Sequence, residues 1–468
     1  MAGASSLRAN FLALPGLRGM VASPWLPLGL QILMLLAMGG LAWLGGTTPV
    51  PVRGKEILIL QKTNLTTLAV WGLWWPGMIL GALVAGRLWC AVCPMELMNR
   101  VGHALGRRLG SARMKLGAFL RAGWVILFLY LVMQLLVAGL ALHRMPPYTA
   151  WMLATMSGLA LGSGLLIREE RSFCKGFCPA QALLSVYGRF TPLQLDKVDA
   201  STCEVCTTRE CIQPGLREAF DARSCPSSLR PFDRTASDGC VLCLQCVKVC
   251  PKENMGWGLT QSKSPSLPLL KPYEAGFVMV AAGFVAHELL GEIAGLETLF
   301  HAVPKWLNHF APTVGFGWFE ALWFLGLFPL AFWTLVALLA RALGHRQSIP
   351  SLFLAAATGA APFVALAHAG KATAKLLGWV GYLPFALKDP VGLMTMNRIL
   401  AGQGHAPKAL LGTHPLGWAL TLALLAGAIR NFRRRGDASE SGSPKALLGG
   451  RAMAFALFLF VGVAWIFA

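Results

Sequence analysis

Four cysteines, Cys240, Cys243, Cys246 and Cys250, run at C-x2-C-x2-C-x3-C spacing, and Pro251 follows at once. Thiolates this closely spaced are soft metal ligands. Three in a row with a displaced fourth is the pattern that holds cubane iron–sulfur clusters, the fourth cysteine crossing to a second cube. A looser copy lies upstream: Cys203, Cys206 and Cys211 at C-x2-C-x4-C, then Cys225 and Pro226 after an insertion. Exchanging the fourth cysteines assigns Cys203, Cys206, Cys211 and Cys250 to one 4Fe–4S cluster. Cys240, Cys243, Cys246 and Cys225 then hold the other. Eight thiolates could instead bind two zinc ions, but structural zinc favours separated C-x2-C pairs over a contiguous run.

The other four cysteines form a second, internally repeated signal. "GRLWCAVCP" (86–94) and "ERSFCKGFCP" (170–179) each read Arg-x-x-Cys, a short gap and Cys-Pro, and each is followed by a segment of helical character. Side by side, Cys90, Cys93, Cys174 and Cys178 would make a four-thiolate site. Its occupant is open between one rubredoxin-like iron, a 2Fe–2S cluster and a third cubane. The alternative is two reduced structural thiol pairs or a disulfide-capable relay. Arg87 and Arg171 precede the first cysteine of each copy by three residues, where they would offset thiolate charge or anchor the chain at an interface.

All twelve cysteines fall between positions 90 and 250, a clustering that suits metal thiolates in a reducing compartment rather than scattered disulfides. The elements that carry them are apolar. Of 468 residues 55% are hydrophobic and only 13% charged, about half the charge of an ordinary soluble domain. Nine runs are long enough to span a bilayer, at about 27–46, 67–88, 117–141, 150–167, 273–292, 316–342, 350–369, 414–431 and 449–467. The net charge of +20 then reads as positive-inside flanks of these runs, not as a nucleic-acid surface, since no basic–aromatic reading face accompanies it. Arg8, Arg18, the 100–115 cluster, Arg341, Arg346 and "RNFRRR" (430–435) fall on one side if the N-terminus is cytoplasmic. The N-terminal segment reads as an uncleaved anchor, having no small-residue cleavage site.

The expected fold is therefore a polytopic α-helical membrane protein of about nine transmembrane helices. A small α+β bacterial-type two-cluster ferredoxin domain would be inserted into it. The regions are 1–167 (two helical hairpins and the first Cys-Pro motif), 168–272 (the cytoplasmic cluster domain with the second Cys-Pro motif and the proline-punctuated exit "SKSPSLPLLKP") and 273–468 (about five helices).

Taken together, "GRLWCAVCP", "FCKGFCP" and the paired cluster motifs resemble the NapH/NosR-type membrane polyferredoxins of nitrate and nitrous-oxide respiration over roughly residues 25–260. Relatives include the membrane iron–sulfur protein that assists copper delivery to cbb3-type oxidases. The resemblance implies electron transfer between a cytoplasmic donor or the quinone pool and a membrane or extracytoplasmic partner, such as a periplasmic reductase or cytochrome, in the bacterial inner membrane. The first Cys-Pro copy departs from the family's C-x3-C-P pattern, being C-x2-C-P. Neither an extracytoplasmic flavin domain nor a β-rich C-terminal domain accompanies the motifs. Two other function classes are a copper reductase or assembly factor for a respiratory oxidase or reductase, and a redox-sensing regulator.

In the C-terminal half, His287 and His368 stand inside apolar runs, where an ionisable residue is a functional signal. Facing each other they could ligate a b-type haem; a quinone or metal site, or simple carbonyl pairing, are the alternatives. The segment 293–315, with His301 and His309, reads as an interfacial amphipathic helix. Met394, Met396, His405 and His414 are chemically able to bind copper but are scattered. The chain carries no Walker A loop, dinucleotide fingerprint or C-x-x-C-H motif, so a nicotinamide donor would need a partner protein.

Overall fold

Runs of about twenty apolar residues fold as helices because a bilayer core offers no water to backbone N–H and C=O groups, and only the helix satisfies them within the segment. The computed structural model describes residues 7–49, 54–110, 113–217, 219–233, 239–260, 269–433 and 444–467. Residues 262–268 of the proline-punctuated exit and Arg434 and Arg435 of the basic run lie outside them. Ten helices matter to the site: α1 (Leu28–Thr47), α2 (Leu65–Ala85), α3 (Pro94–Arg108), α4 (Trp124–Gly139), α5 (Pro146–Leu166), α6 (Pro272–Leu290), α7 (Phe316–Ala342), α8 (Ile349–Lys388), α9 (Thr413–Arg433) and α10 (Pro444–Ile466).

Seven of these, α1, α2, α5, α6, α7, α8 and α10, are long and apolar enough to cross a membrane. On α1 the large side chains Leu33, Leu36 and Trp43 are more than half exposed, a surface that calls for lipid rather than water. Two further expected spans take other forms. The run 117–141 is broken by Gly123 at φ 84°, which leaves the 16-residue helix α4. A Cβ at Gly123 would stand 2.4 Å from the Tyr273 ring, so only glycine fits this turn. The run 414–431 is the helix α9 of 21 residues, with basic residues at its end.

The chain clusters into two compact units, one of residues 1–40, 81–122 and 154–264, the other of 41–80, 123–153 and 265–468. The first holds a three-stranded antiparallel sheet of order β1-β3-β2, made of β1 (Leu7–Asn10), β2 (Leu193–Lys197) and β3 (Met255–Thr260). The N-terminal strand thus closes a sheet whose other strands lie some 190 to 250 residues further along the chain. Leu12, Val21, Leu195, Leu242, Leu244, Val247 and Met255 form the core of this layer, with Cys211, Cys240, Cys246 and Cys250 packed in or against it. The same unit locks α3 onto the end of α5: Asn99 Nδ2 donates to Ala160 O (3.0 Å), Ser163 Oγ (3.1 Å) and Ser172 Oγ (3.0 Å).

In the second unit the alanine-rich run at 350–369 becomes the most enclosed helix. Ala355, Ala357, Ala360, Phe363, Val364 and Ala367 of α8 are fully buried, packed chiefly on α10, α6 and α9. Small side chains make this closeness possible. The helix also runs past Lys371, where the sequence suggested an end, because that ammonium is paired with Glu292 Oε1 (2.5 Å) and Glu288 Oε2 (3.6 Å).

Candidate metal centres

All twelve cysteines lie in the first unit and are unbridged. Cys203 sits on the short helix Ala200–Glu204, which Asp199 caps by accepting from the N–H groups of Ser201 (3.3 Å) and Thr202 (2.9 Å). The Ser201 and Thr202 hydroxyls, each 2.6 Å from Oδ2, hold the Asp199 carboxyl well below the usual carboxylate range. Asn254 joins this cap to the far end of the motif. Its Nδ2 donates to Cys203 Sγ (3.2 Å) and Asp199 O (2.5 Å), and its backbone N–H to Cys250 Sγ (3.4 Å). Burial, and then the charges of Cys250, Cys203 and Cys206, push the Cys211 thiol up to about 11. These four cysteines are therefore one electrostatic group. Cys206, at the surface, is lowered instead by the Arg209 N–H and the Thr208 hydroxyl, with Arg209 at φ 43° turning the loop toward it.

Cys225, Cys240, Cys243 and Cys246 line one cavity, partly open to solvent, with Leu195, Ser227, Leu229, Pro231 and Val241. The insertion that separates Cys225 from the first motif closes on itself through Cys225 N–H to Cys211 O (2.9 Å). Between these cysteines along the chain, Leu242 and Leu244 take φ of 51° and 58°. Bulky residues rarely adopt this conformation, and alternating left- and right-handed turns aim successive N–H groups into a common concavity that favours anionic clusters. Burial, followed by Cys240 and Cys225, raises the Cys243 thiol to about 11 against the opposing Gln245 N–H.

The repeated Cys-Pro motifs meet in a third group. Cys90 lies on the turn Trp89–Val92, Cys93 caps α3, and Cys174 and Cys178 flank the end of the short helix Ser172–Gly176. Burial raises the thiols of Cys93, Cys174 and Cys178, and each also feels at least one cysteine of the opposite motif. Arg171, buried and at φ 58°, stands beside them. Burial opposes its charge, but Cys174, Cys90, Glu96 and Cys243 outweigh this and hold the guanidinium above its ordinary value. Its Nη1 donates to Ser227 Oγ at 2.6 Å, on the wall of the cavity just described, so one cation serves two thiol groups. Arg87 is bonded to Gln181. Glu96 accepts from Gln31 Nε2 (2.6 Å), which also donates to Ala91 O (2.9 Å).

Among the described residues no three cysteine sulfurs lie within 4.8 Å of one another. Four thiolates on a single ion at about 2.3 Å would stand about 3.8 Å apart. The wider spread, with N–H donors aimed at sulfur, suits multi-iron clusters better than a mononuclear ion at all three groups.

The histidines fall elsewhere. His368 is buried against Phe284, ring centroids 5.8 Å apart. His287 stacks on Phe324 at 4.4 Å, and the ligating groups gathered with it are His301 and Glu320. Sequence reasoning missed Glu320, the link from Arg171 to Cys243 and Ser227, and the part played by Asn254. Only Asn254 carried a local signal, standing four residues beyond Cys250 in "CPKEN".

Among the described residues the chain is mostly helical, with seven helices long and apolar enough to cross a membrane, and its twelve thiols are unbridged. No family model matches it, and no solved structure matches it significantly. It is 28% identical over 175 residues to an uncharacterised protein of Methanocaldococcus jannaschii, covering 36% of this chain and 64% of that one. It is 26% identical over 144 residues to the methylamine utilization ferredoxin-type protein MauN of Methylobacillus flagellatus, covering 28% of this chain and 50% of that one. The chain thus spans between half and two thirds of the length of these relatives. The likeness to a ferredoxin-type protein is distant, and it does not single out the NapH/NosR kind.

Proposed function

We propose that this chain is a membrane-bound iron–sulfur electron-transfer protein of the polyferredoxin kind. In this reading Cys203, Cys206, Cys211 and Cys250 hold one 4Fe–4S cluster, and Cys225, Cys240, Cys243 and Cys246 a second. Cys90, Cys93, Cys174 and Cys178 hold a third iron–sulfur centre. The observation that carries the reading is the convergence of Cys225, displaced by an insertion, with Cys240, Cys243 and Cys246 on one cavity. The ferredoxin-type relative and the apolar helices point the same way.

Such clusters supply one-electron transfer at potentials set by charge, hydrogen bonds and burial. The chain's own residues would act on each of these. Asn254 donates to two sulfurs of the first group, Leu242 and Leu244 turn the backbone around the second, and Arg171 places a buried positive charge between the second and third. The sheet layer, closed by β1, walls the cysteines off on one side. The remaining parts of the proposal are nine spans, with α4 and α9 completing the seven, the thiol groups on the cytoplasmic side of a bacterial inner membrane, and a quinone or protein partner as the other redox party.

Anaerobic purification in detergent, with iron and acid-labile sulfide counted and the dithionite-reduced protein examined by EPR, tests this. Iron clearly above about eight per chain, with acid-labile sulfide and coupled cubane signals, is expected, and the excess over eight is lost in Cys93→Ser. Zinc in place of iron and sulfide would overturn it.

A further inference from the structure

The second unit carries a site that the electron-transfer reading does not use. His287 lies near the end of α6 and Glu320 near the start of α7, and His301 sits in the loop that joins them, between the short helices Leu296–Phe300 and Ala302–Phe310. One ligand atom from each lies within 4.8 Å of the others, and this is the sole such trio of His, Cys, Asp or Glu groups among the described residues. Glu320 Oε1 is 3.0 Å from His301 Nε2 and 3.8 Å from His287 Nε2. Ligand atoms about 2.1 Å from a shared ion stand about 3 to 3.5 Å apart, so little movement separates the trio from a coordination shell.

We propose that His287, His301 and Glu320 bind one divalent transition-metal ion at the α6–α7 end of this unit. Two imidazoles and one carboxylate are the donor set of an ion of borderline softness, and three protein ligands leave positions open. Three independent features support it. First, His301 is more than nine-tenths buried and its Nε2 meets Glu320 Oε1 at 3.0 Å, so an imidazole nitrogen and a carboxylate already share one enclosed point. Second, His301 Nδ1 faces Glu297 Oε1 at 3.6 Å. A carboxylate on the far ring nitrogen is the usual support of a metal-bound histidine, fixing its tautomer and orientation. Third, α7 widens into a π-helical stretch at Trp323–Leu327, immediately beyond Glu320, and Phe324 from that stretch stacks on His287 with ring planes 9° apart. Insertions of this kind re-aim side chains and recur at functional sites.

The nearby cations do not defeat the site. Lys371 is engaged by Glu288 and Glu292, and Arg144 Nε is 3.0 Å from His143 Nε2. Tying one loop residue to two helix ends, the ion would clamp the 291–315 segment onto α6 and α7.

The test uses the purified full-length chain in detergent. Zinc ion is added, excess is removed, and bound zinc is counted beside iron and sulfide. One zinc per chain is expected, lost in His301→Gln and Glu320→Gln with iron and sulfide unchanged, and weakened about 10- to 100-fold in Glu297→Gln. Equal zinc in the unaltered chain and in both ligand variants would overturn the proposal. Because a ligand variant that misfolds would also lose zinc, Cu²⁺ added to the unaltered chain is read by EPR as a second test. Couplings from two imidazole nitrogens support the site, and a copper signal without them overturns it.

Discussion

Arg171 is the residue whose removal speaks most directly to the proposed clusters. It is buried, its charge is felt by Cys90, Cys174 and Cys243, and its Nη1 is bonded to Ser227 on the wall of the second cysteine cavity. Adding an electron to a cluster makes it more negative, so a fixed cation nearby favours the reduced state and raises the potential. Replacing Arg171 by Gln keeps much of the side-chain volume and removes the charge. At about 5 to 10 Å and an effective dielectric constant of about 20, the lost interaction is about 1.7 to 3.3 kcal/mol. For one electron this is about 70 to 140 mV, at about 59 mV per tenfold. Redox titration followed by EPR should show the centres at Cys90/Cys93/Cys174/Cys178 and Cys225/Cys240/Cys243/Cys246 both shifted down. The one at Cys203/Cys206/Cys211/Cys250, which Arg171 is not seen to influence, should move least. Arg171→Lys should restore most of the shift while losing the planar donor geometry. Unchanged potentials in the Gln variant, or a shift confined to the Cys203 group, would refute the placement of this cation between two centres.

Asn254→Ala removes the donor to Cys203 Sγ and loosens the loop that carries Cys250. Hydrogen bonds to charged groups are worth about 1.5 to 3 kcal/mol, so about four irons should be lost selectively on mild chelation, with the other centres retained. Gly102→Ala places a Cβ 2.1 Å from Leu161 O and 3.0 Å from Leu165 N, all backbone, so α3 and α5 must part. A loss of about 1 to 3 kcal/mol follows, read as a lowered thermal transition. Glu169 accepts from the Leu116 N–H (2.8 Å) and pairs with Arg121 (2.8 Å). Burial works against its charge, but these donors hold the carboxyl below its ordinary value. A carboxyl lowered in the folded state stabilises above its unfolded value and loses that contribution as pH falls through the folded one. Thermal unfolding of Glu169→Gln should therefore differ from the unaltered chain by a constant margin, under about 1 kcal/mol, down to about pH 4.3, and converge below it. A margin that closes between pH 7 and 5 would contradict this.

Apolar run length is a local property, and so α1, α2, α5, α6, α7 and α10 are legible in the chain to within about five residues at each end, as is the motif spacing that singles out the cysteines. The sequence also shows the two Cys-Pro copies as a repeat, because each cysteine pair stands at the same remove from its arginine and proline. What it could not decide is which distant residues meet. Cys225 reaches the Cys240 cavity only because the insertion closes through a backbone bond to Cys211. β1 pairs with β3 across more than half the chain, a register that no local periodicity encodes. The lysines of α8 looked like a helix end, since an isolated charge is expensive among apolar groups; partners on α6 and just beyond it make the continuation possible. His287 is the sharpest case. Alone in its run it suggested a partner in another span, but packing set it beside a loop histidine and a glutamate from α7. Spacing along a helix is fixed by the backbone, whereas the neighbours of a buried polar side chain are fixed by how the helices pack, and only the tertiary structure contains that.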